Sequence, residues 1–279
     1  MGRNGTFFFL LFLLSGLLFH QNPEAQNNKT VILATTTSVQ DTGLLDVLAE
    51  FFNKKSEYIL KPIAVGSGQA MQLGRQGEAD ILLVHSPEDE IPFVREGFGA
   101  MRTTFMHNEF VLTGPPGDPA NVKGEQSITE AFKKVCSGKS LFVSRGDNSG
   151  THKKELSLWK DVGCAPSKET YLEAGQGMAQ TLRIADEKRG YCLVDCATYL
   201  TLQKTLLLII VSEGDPLLKN FYSLIPVNPK LSAKINAPGA KAFYNFMLSR
   251  EVKEIIDTFK KVEFGQQLFF TEKGVYELH

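Results

Sequence analysis

The sequence predicts an α/β protein built as two lobes with a ligand cleft between them. Three observations carry this. Short β-rich runs alternate with amphipathic helical stretches along the chain, the pattern of strand–helix–strand units and mostly parallel sheets. The turn PPGDP at 115–119 divides two series of such units, since Pro and Gly punctuate structure. Small-hydroxyl and glycine clusters recur at strand-to-helix turns, where open α/β sheets hold ligands.

In the first series, TVILAT (30–35) reads as a strand. The stretch after Asp41 reads as a helix because Leu44, Leu45, Leu48, Phe51 and Phe52 fall on one face. YILKPIAV (58–65) is a second strand, followed by a helix from 69 to 76. DILLVH (80–85) has the continuous apolar character of a buried parallel strand, and HNEFVLTGP (107–115) closes the series. In the second, SLFVS (140–144) is a strand and THKKELSLWKDVG an amphipathic helix. GMAQTLRIADEKRG is a further helix, expected to stop at Gly190 as its C-cap. YCLVD (191–195) is a strand, ATYLTLQ a short helix, LLLIIVSE (206–213) and FYSLIPVNP (221–229) strands, and 238–249 and 250–260 helices. This divides the chain into lobe I, 26–112 plus 225–279, and lobe II, 113–224, with two crossings between them.

The N-terminus stands apart. Arg3 precedes the apolar run Phe7 to Phe19, and a polar stretch with Pro23 and Ala25 follows. That is the layout of a secretory signal, expected over 1–25; the run is shorter than the roughly 20 residues of a membrane span. The mature chain is expected to be exported and periplasmic. Four cysteines, Cys136, Cys164, Cys192 and Cys196, permit disulfides in such a compartment, with three pairings open. They show no metal-site spacing, so no metal or other cofactor is expected. A formal charge of −1 offers no basic excess for nucleic acid.

Three turns could carry chemistry: ATTTS (34–38), GSGQA (66–70) and SRGDNSGT (144–151). Each offers hydroxyls and backbone N–H groups at a helix N-terminus, the means of holding an anion. Helix capping alone would use the same residue types, but not Arg145, whose fixed planar charge suits oxyanions. Ser149 and His152 could be read as a nucleophile and base of a secreted hydrolase, yet the G-x-S-x-G elbow is absent. Arg145-Gly146-Asp147 spells an adhesion tripeptide, a match short enough to arise by chance.

VILATTTSVQDTGLL, VGSGQAMQLGRQGEADILLVHSPEDE, MHNEFVLTGPPGDPANVKG and SRGDNSGTHKKELSLW together resemble the substrate-binding proteins of bacterial tungstate ABC importers. The resemblance runs from about residue 30 to the C-terminus. It implies a type II periplasmic binding protein fold, a monomer with no enzymatic activity, and an oxyanion, tungstate or molybdate, delivered to a membrane permease. It places the anion contacts on Thr36, Ser38, Ser67, Arg145 and Thr151, with Ser149 and Gly150 at the helix N-terminus. Within TTTS, extended alternation would turn Thr36 and Ser38 the same way. CLVDCATYL departs from the family's D-R-x-T-Y pattern, leaving Thr198 as an extra donor in that turn. The R-x-D-x-S-G-T spacing also resembles phosphate-binding proteins, in which the aspartate accepts the phosphate proton. Asp147 therefore separates the two: facing the ligand it fits phosphate, and turned away it fits an unprotonated dianion.

Overall fold

The computed structural model describes residues 29–164 and 166–278. The side chains of Ser38 and of residues 273–278, and the expected signal segment 1–25, lie outside the described residues.

The chain begins with β1 (Thr30–Thr36), α1 (Thr37–Asp41), α2 (Leu44–Lys55), β2 (Ile59–Val65), α3 (Ser67–Arg75), β3 (Ile81–Val84) and α4 (Pro87–Arg95). β1 lies between β2 and β3, parallel to both, and all four residues of β3 are buried. A central parallel strand is covered on both faces, which is why these runs are apolar without alternating. β2 ends this sheet, so its Pro62 removes no needed ladder bond. Leu44, Leu45, Leu48 and Phe52 of α2 are buried, each worth about 1.5–3 kcal/mol when taken from water.

β4 (Arg102–Gly114) is the long strand of the fold. α5 (Ile128–Ser137), β5 (Phe142–Ser144), α6 (Gly150–Val162), β6 (Tyr171–Glu173), α7 (Met178–Lys188), β7 (Cys192–Asp195), α8 (Cys196–Leu202), β8 (Ile209–Ser212) and β9 (Lys219–Pro226) follow. The chain closes with α9 (Ala237–Met247), α10 (Arg250–Thr258), α11 (Lys261–Phe264) and β10 (Phe270–Leu278).

The order β10-β4-β9-β3-β1-β2 is mixed, not mostly parallel as the strand–helix alternation predicts. β9 runs antiparallel to β3 and to β4, and β10, β7 and β8 run antiparallel to β4. The long return connections make this possible; alternation of elements does not reveal it. β4 changes partners along its length. Thr103 to Glu109 pair with β9, whereas Phe110 to Thr113 pair with β7. β5 and β6 pair parallel, and Phe142 bridges to Tyr191 just before β7.

α7 ends one residue earlier than expected. Arg189, not Gly190, takes the left-handed C-cap, with φ 54°. Gly190 then sits where a Cβ would meet Val143 and the Leu141 carbonyl at 3.0–3.2 Å, so its role is close packing. A disulfide joins Cys136 at the end of α5 to Cys164 just beyond α6; Cys192 is a buried thiol and Cys196 a half-buried one.

Candidate functional site

Each expected turn lies at the carboxyl end of a strand. Thr36 ends β1 in extended conformation and α1 starts at Thr37. The alternation expected to align Thr36 with Ser38 therefore stops at Thr36, because the backbone coils into α1; the Ser38 side chain lies outside the described residues. Thr36 pairs with Val65 of β2, which brings it beside the turn where Ser67 opens α3. Ser67 is fully buried and Thr36 is 3% exposed, yet neither hydroxyl has a hydrogen-bond partner.

The SRGDNSG turn is shaped by two left-handed residues, Gly146 (φ 61°) and Asn148 (φ 56°). A side chain at Gly146 would strike the Glu173 Cβ at 2.6 Å. Asp147 holds this loop together. Its Oδ2 accepts from Arg145 Nε at 3.1 Å and Nη2 at 2.5 Å, and its Oδ1 from the Ser149 amide at 3.1 Å. Both carboxylate oxygens are thus taken by protein donors, and Nη1 remains as the guanidinium's other corner. Arg145 is 4% exposed.

Ser149 caps α6, its Oγ accepting from the His152 amide at 3.3 Å. The His152 ring instead accepts the Asn148 amide at Nδ1 (3.0 Å), so the two side chains form no nucleophile–base pair. Burial holds the His152 pKa below its usual value. Gly150 and Thr151 form the first turn, whose N–H groups have no intrahelical acceptor. The buried Thr151 hydroxyl has no partner, and neither has that of Thr198 in the first turn of α8. Among the described residues, four partnerless buried hydroxyls thus come from α6, α8, α3 and the end of β1. Buried polar groups are normally satisfied, so such a set implies an absent acceptor.

The two halves of the molecule touch across this region. A Cβ on Gly150 would lie 2.5 Å from His85 Cε1 and 3.0 Å from the His85 carbonyl, so α6 meets the end of β3 directly. Lys153 of α6 forms an ion pair with Asp89 of α4, a contact that no local sequence pattern announces. His85 is buried, bonds Asn220 at 2.9 Å, and is held by burial at a pKa of about 4. It is neutral near pH 7, leaving Arg145 as the fixed positive charge among these turns. A cavity of about 340 Å³ opens beside the contact, lined by His85, Gly150, Lys153, Lys154, Lys219 and Asn220 among others.

Hydroxyls, helix N-termini and one guanidinium thus lie at the strand ends, a set of donors of the kind that holds small anions. The model of the PBP superfamily domain matches residues 23–251. A tungstate-binding protein, TupA, from Peptoclostridium acidaminophilum is 46% identical over 267 residues, covering 93% of each chain. The chain belongs to the TupA family within the PBP superfamily. Two solved structures agree. TupA from Desulfovibrio alaskensis G20 is 43% identical, with a TM-score of 0.76 over 87% of this chain and 98% of that one. The tungstate ABC transporter structure from Geobacter sulfurreducens is 40% identical, with a TM-score of 0.76 over 82% and 98%. Among the contacts expected from the sequence of this TupA-family chain, Thr36, Ser67 and Thr151 present buried free hydroxyls, Arg145 a buried charge, and Ser149 and Gly150 the start of α6. Asp195, the cap of α8, is the aspartate of the D-R-x-T-Y pattern that CLVDCATYL partly keeps, and nothing in that turn's sequence assigns its carboxylate a role beyond the cap.

Proposed function

We propose that this chain captures a tetrahedral oxyanion, tungstate first and molybdate second, and delivers it to the membrane permease of an ABC importer. The observation that carries the reading is the set of buried, partnerless hydroxyls around Arg145. Thr36, Ser38, Ser67, Arg145, Ser149, Gly150 and Thr151 are the proposed contacts. Arg145 offsets part of the anion's charge, and hydroxyls and helix amides supply the other donors. The tungstate-binding relatives support the choice of ligand. Asp147 supports it too, since its carboxylate is turned into its own loop, accepting from Arg145 and the Ser149 amide. Selection against sulfate falls to cavity size, because a shell built for longer metal–oxygen bonds leaves shorter ones out of reach.

The same reading makes the chain a periplasmic monomer, exported by residues 1–25, with no cofactor and no catalysis. Its lobes are 26–112 plus 225–279, and 113–224; the change of partners along β4 supports such a division. Closure is a hinge motion that completes the donor shell.

The test is thermal unfolding with tungstate, molybdate, sulfate and phosphate. At about 1,000 times its Kd, a ligand stabilises by about 4 kcal/mol. Tungstate and molybdate should raise Tm and the others should not. A rise with phosphate alone overturns the choice of ligand, and no rise with any oxyanion overturns the binding role.

A further inference from the structure

We propose that Asp195 is a further oxyanion contact, binding in its neutral, protonated form and donating from Oδ2 beside a second donor, the Thr198 hydroxyl. This rests on the oxyanion reading above.

Asp195 ends β7 and caps α8, with Oδ1 accepting the Thr198 amide at 2.9 Å. A cap needs one carboxylate oxygen. The other, Oδ2, is buried without a partner in a residue only 1% exposed. The Thr198 hydroxyl, one turn into the helix, is equally enclosed; it makes no well-formed hydrogen bond, but it lies close enough to the Asp195 carboxylate to favour the ionised acid. β7 runs parallel beside β5, with Phe142 bridging Tyr191, so Asp195 and the Arg145 turn leave neighbouring strand ends and Arg145 acts on the Asp195 charge, which sets α8 beside the same turns. A finished interior does not leave a bare carboxylate oxygen unmatched.

The charges around Asp195 decide which form can meet an anion. Arg145, from the turn after β5, favours the ionised acid, and Asp41 at the end of α1 opposes it. Tyr222 of β9 feels the Asp195 charge, as does Cys196, which also feels Glu109 of β4 and Glu213 beyond β8. The Cys196 thiol is pushed up to about 12 by burial and brings no compensating cation. Arg145 already holds Asp147. An ionised Asp195 would thus add a buried negative charge beside an incoming dianion with one shared guanidinium to offset both. Burial raises the Asp195 pKa in the same direction. One proton, taken from solvent on binding and returned on release, turns a repelling acceptor into a donor.

Asp195→Asn keeps the capping oxygen and replaces the O–H donor with an N–H donor at every pH. Calorimetry in buffers of different ionisation enthalpy should read uptake of up to about one proton per tungstate in the wild type and none in the variant. As pH rises past the point where Asp195 of the free protein ionises, the wild-type affinity should fall, by up to about tenfold per pH unit, while the variant's stays level. Thr198→Val should weaken binding about tenfold at every pH. Wild-type binding of tungstate with an affinity ratio to the variant that is constant across pH overturns this proposal and leaves the oxyanion reading standing. Loss of phosphate binding in Asp195→Asn, with tungstate untouched, also overturns it, by making Asp195 an ionised acceptor for a ligand proton. Wild type that binds no tungstate sinks both.

Discussion

Replacing Arg145 with alanine should cost more than one hydrogen bond, and the excess should be recoverable. The guanidinium is 4% exposed and grips Asp147 Oδ2 through two nitrogens at 2.5 and 3.1 Å. Its removal takes a charge-assisted bond from the anion, about 1.5–3 kcal/mol. It also leaves the Asp147 carboxylate with the Ser149 amide as its remaining partner. That charge, 22% exposed and so partly screened, adds repulsion of roughly 1–2 kcal/mol against a dianion. The sum, about 2.5–5 kcal/mol, weakens Kd by roughly 10¹·⁸- to 10³·⁶-fold. Arg145→Ala with Asp147→Asn should win back about tenfold, since the amide keeps the Oδ1 bond to Ser149 without the charge. Asp147→Asn alone should hold or tighten tungstate binding, because it frees the guanidinium. Isothermal titration of the three variants with tungstate and phosphate measures all of this. A double variant no better than Arg145→Ala would refute the repulsion, and an Asp147→Asn variant that loses phosphate binding would refute the assignment of Asp147 to the loop.

Two further outcomes follow from contacts around α6. Gly150→Ala sets a Cβ 2.5 Å from His85 Cε1 and 3.0 Å from its carbonyl; overpacking of about 1–3 kcal/mol should lower the Tm of the unliganded protein and, by moving the start of α6, weaken anion binding, read by calorimetry beside titration. Glu155, buried in α6 with bonds from Trp159 and Tyr171, is raised by burial to about 7. The folded state therefore binds its proton more tightly than the unfolded chain. Its contribution is most favourable below the ordinary glutamate pKa of 4.5 and is lost as pH rises to about 7, amounting to about 3 kcal/mol. Denaturant titrations across that window should show Glu155→Gln flattening the fall in stability.

The parts of the fold legible in the sequence are those whose signal is local. β1 and β3 announce themselves because a doubly covered strand must be apolar throughout. α6 carries its own punctuation, with Ser149 as cap and the left-handed Gly163 as stop. β4 begins at Arg102, five residues before the expected start at His107, because Arg102 to Met106 owe their conformation to β9 and β10 more than to their own pattern. β10 is an edge strand with an irregular register between Thr271 and Tyr276, and its mixed composition gives no period of two. Of the site, Arg145 and the hydroxyl turns are visible because capping alone does not call for the arginine. The free oxygen of Asp195 and the Lys153–Asp89 pair are not, because each depends on where distant strands place its helix.

The division of labour along β4 and β9 also bears on the order of assembly. Everything from α5 to β8 is contiguous in the chain, and it needs only the second half of β4 to finish its pairing. The sheet of β1, β2 and β3 gains its β9 edge only after some 140 further residues have been made, since Leu82 pairs with Ile225. A chain that leaves its channel N-terminus first would complete its second half before its first. The β3 edge would stay open until β9 arrives, and a bare, apolar strand edge is where chains mispair. Chaperones that hold the emerging chain should therefore act on its earliest strands, and for longest there.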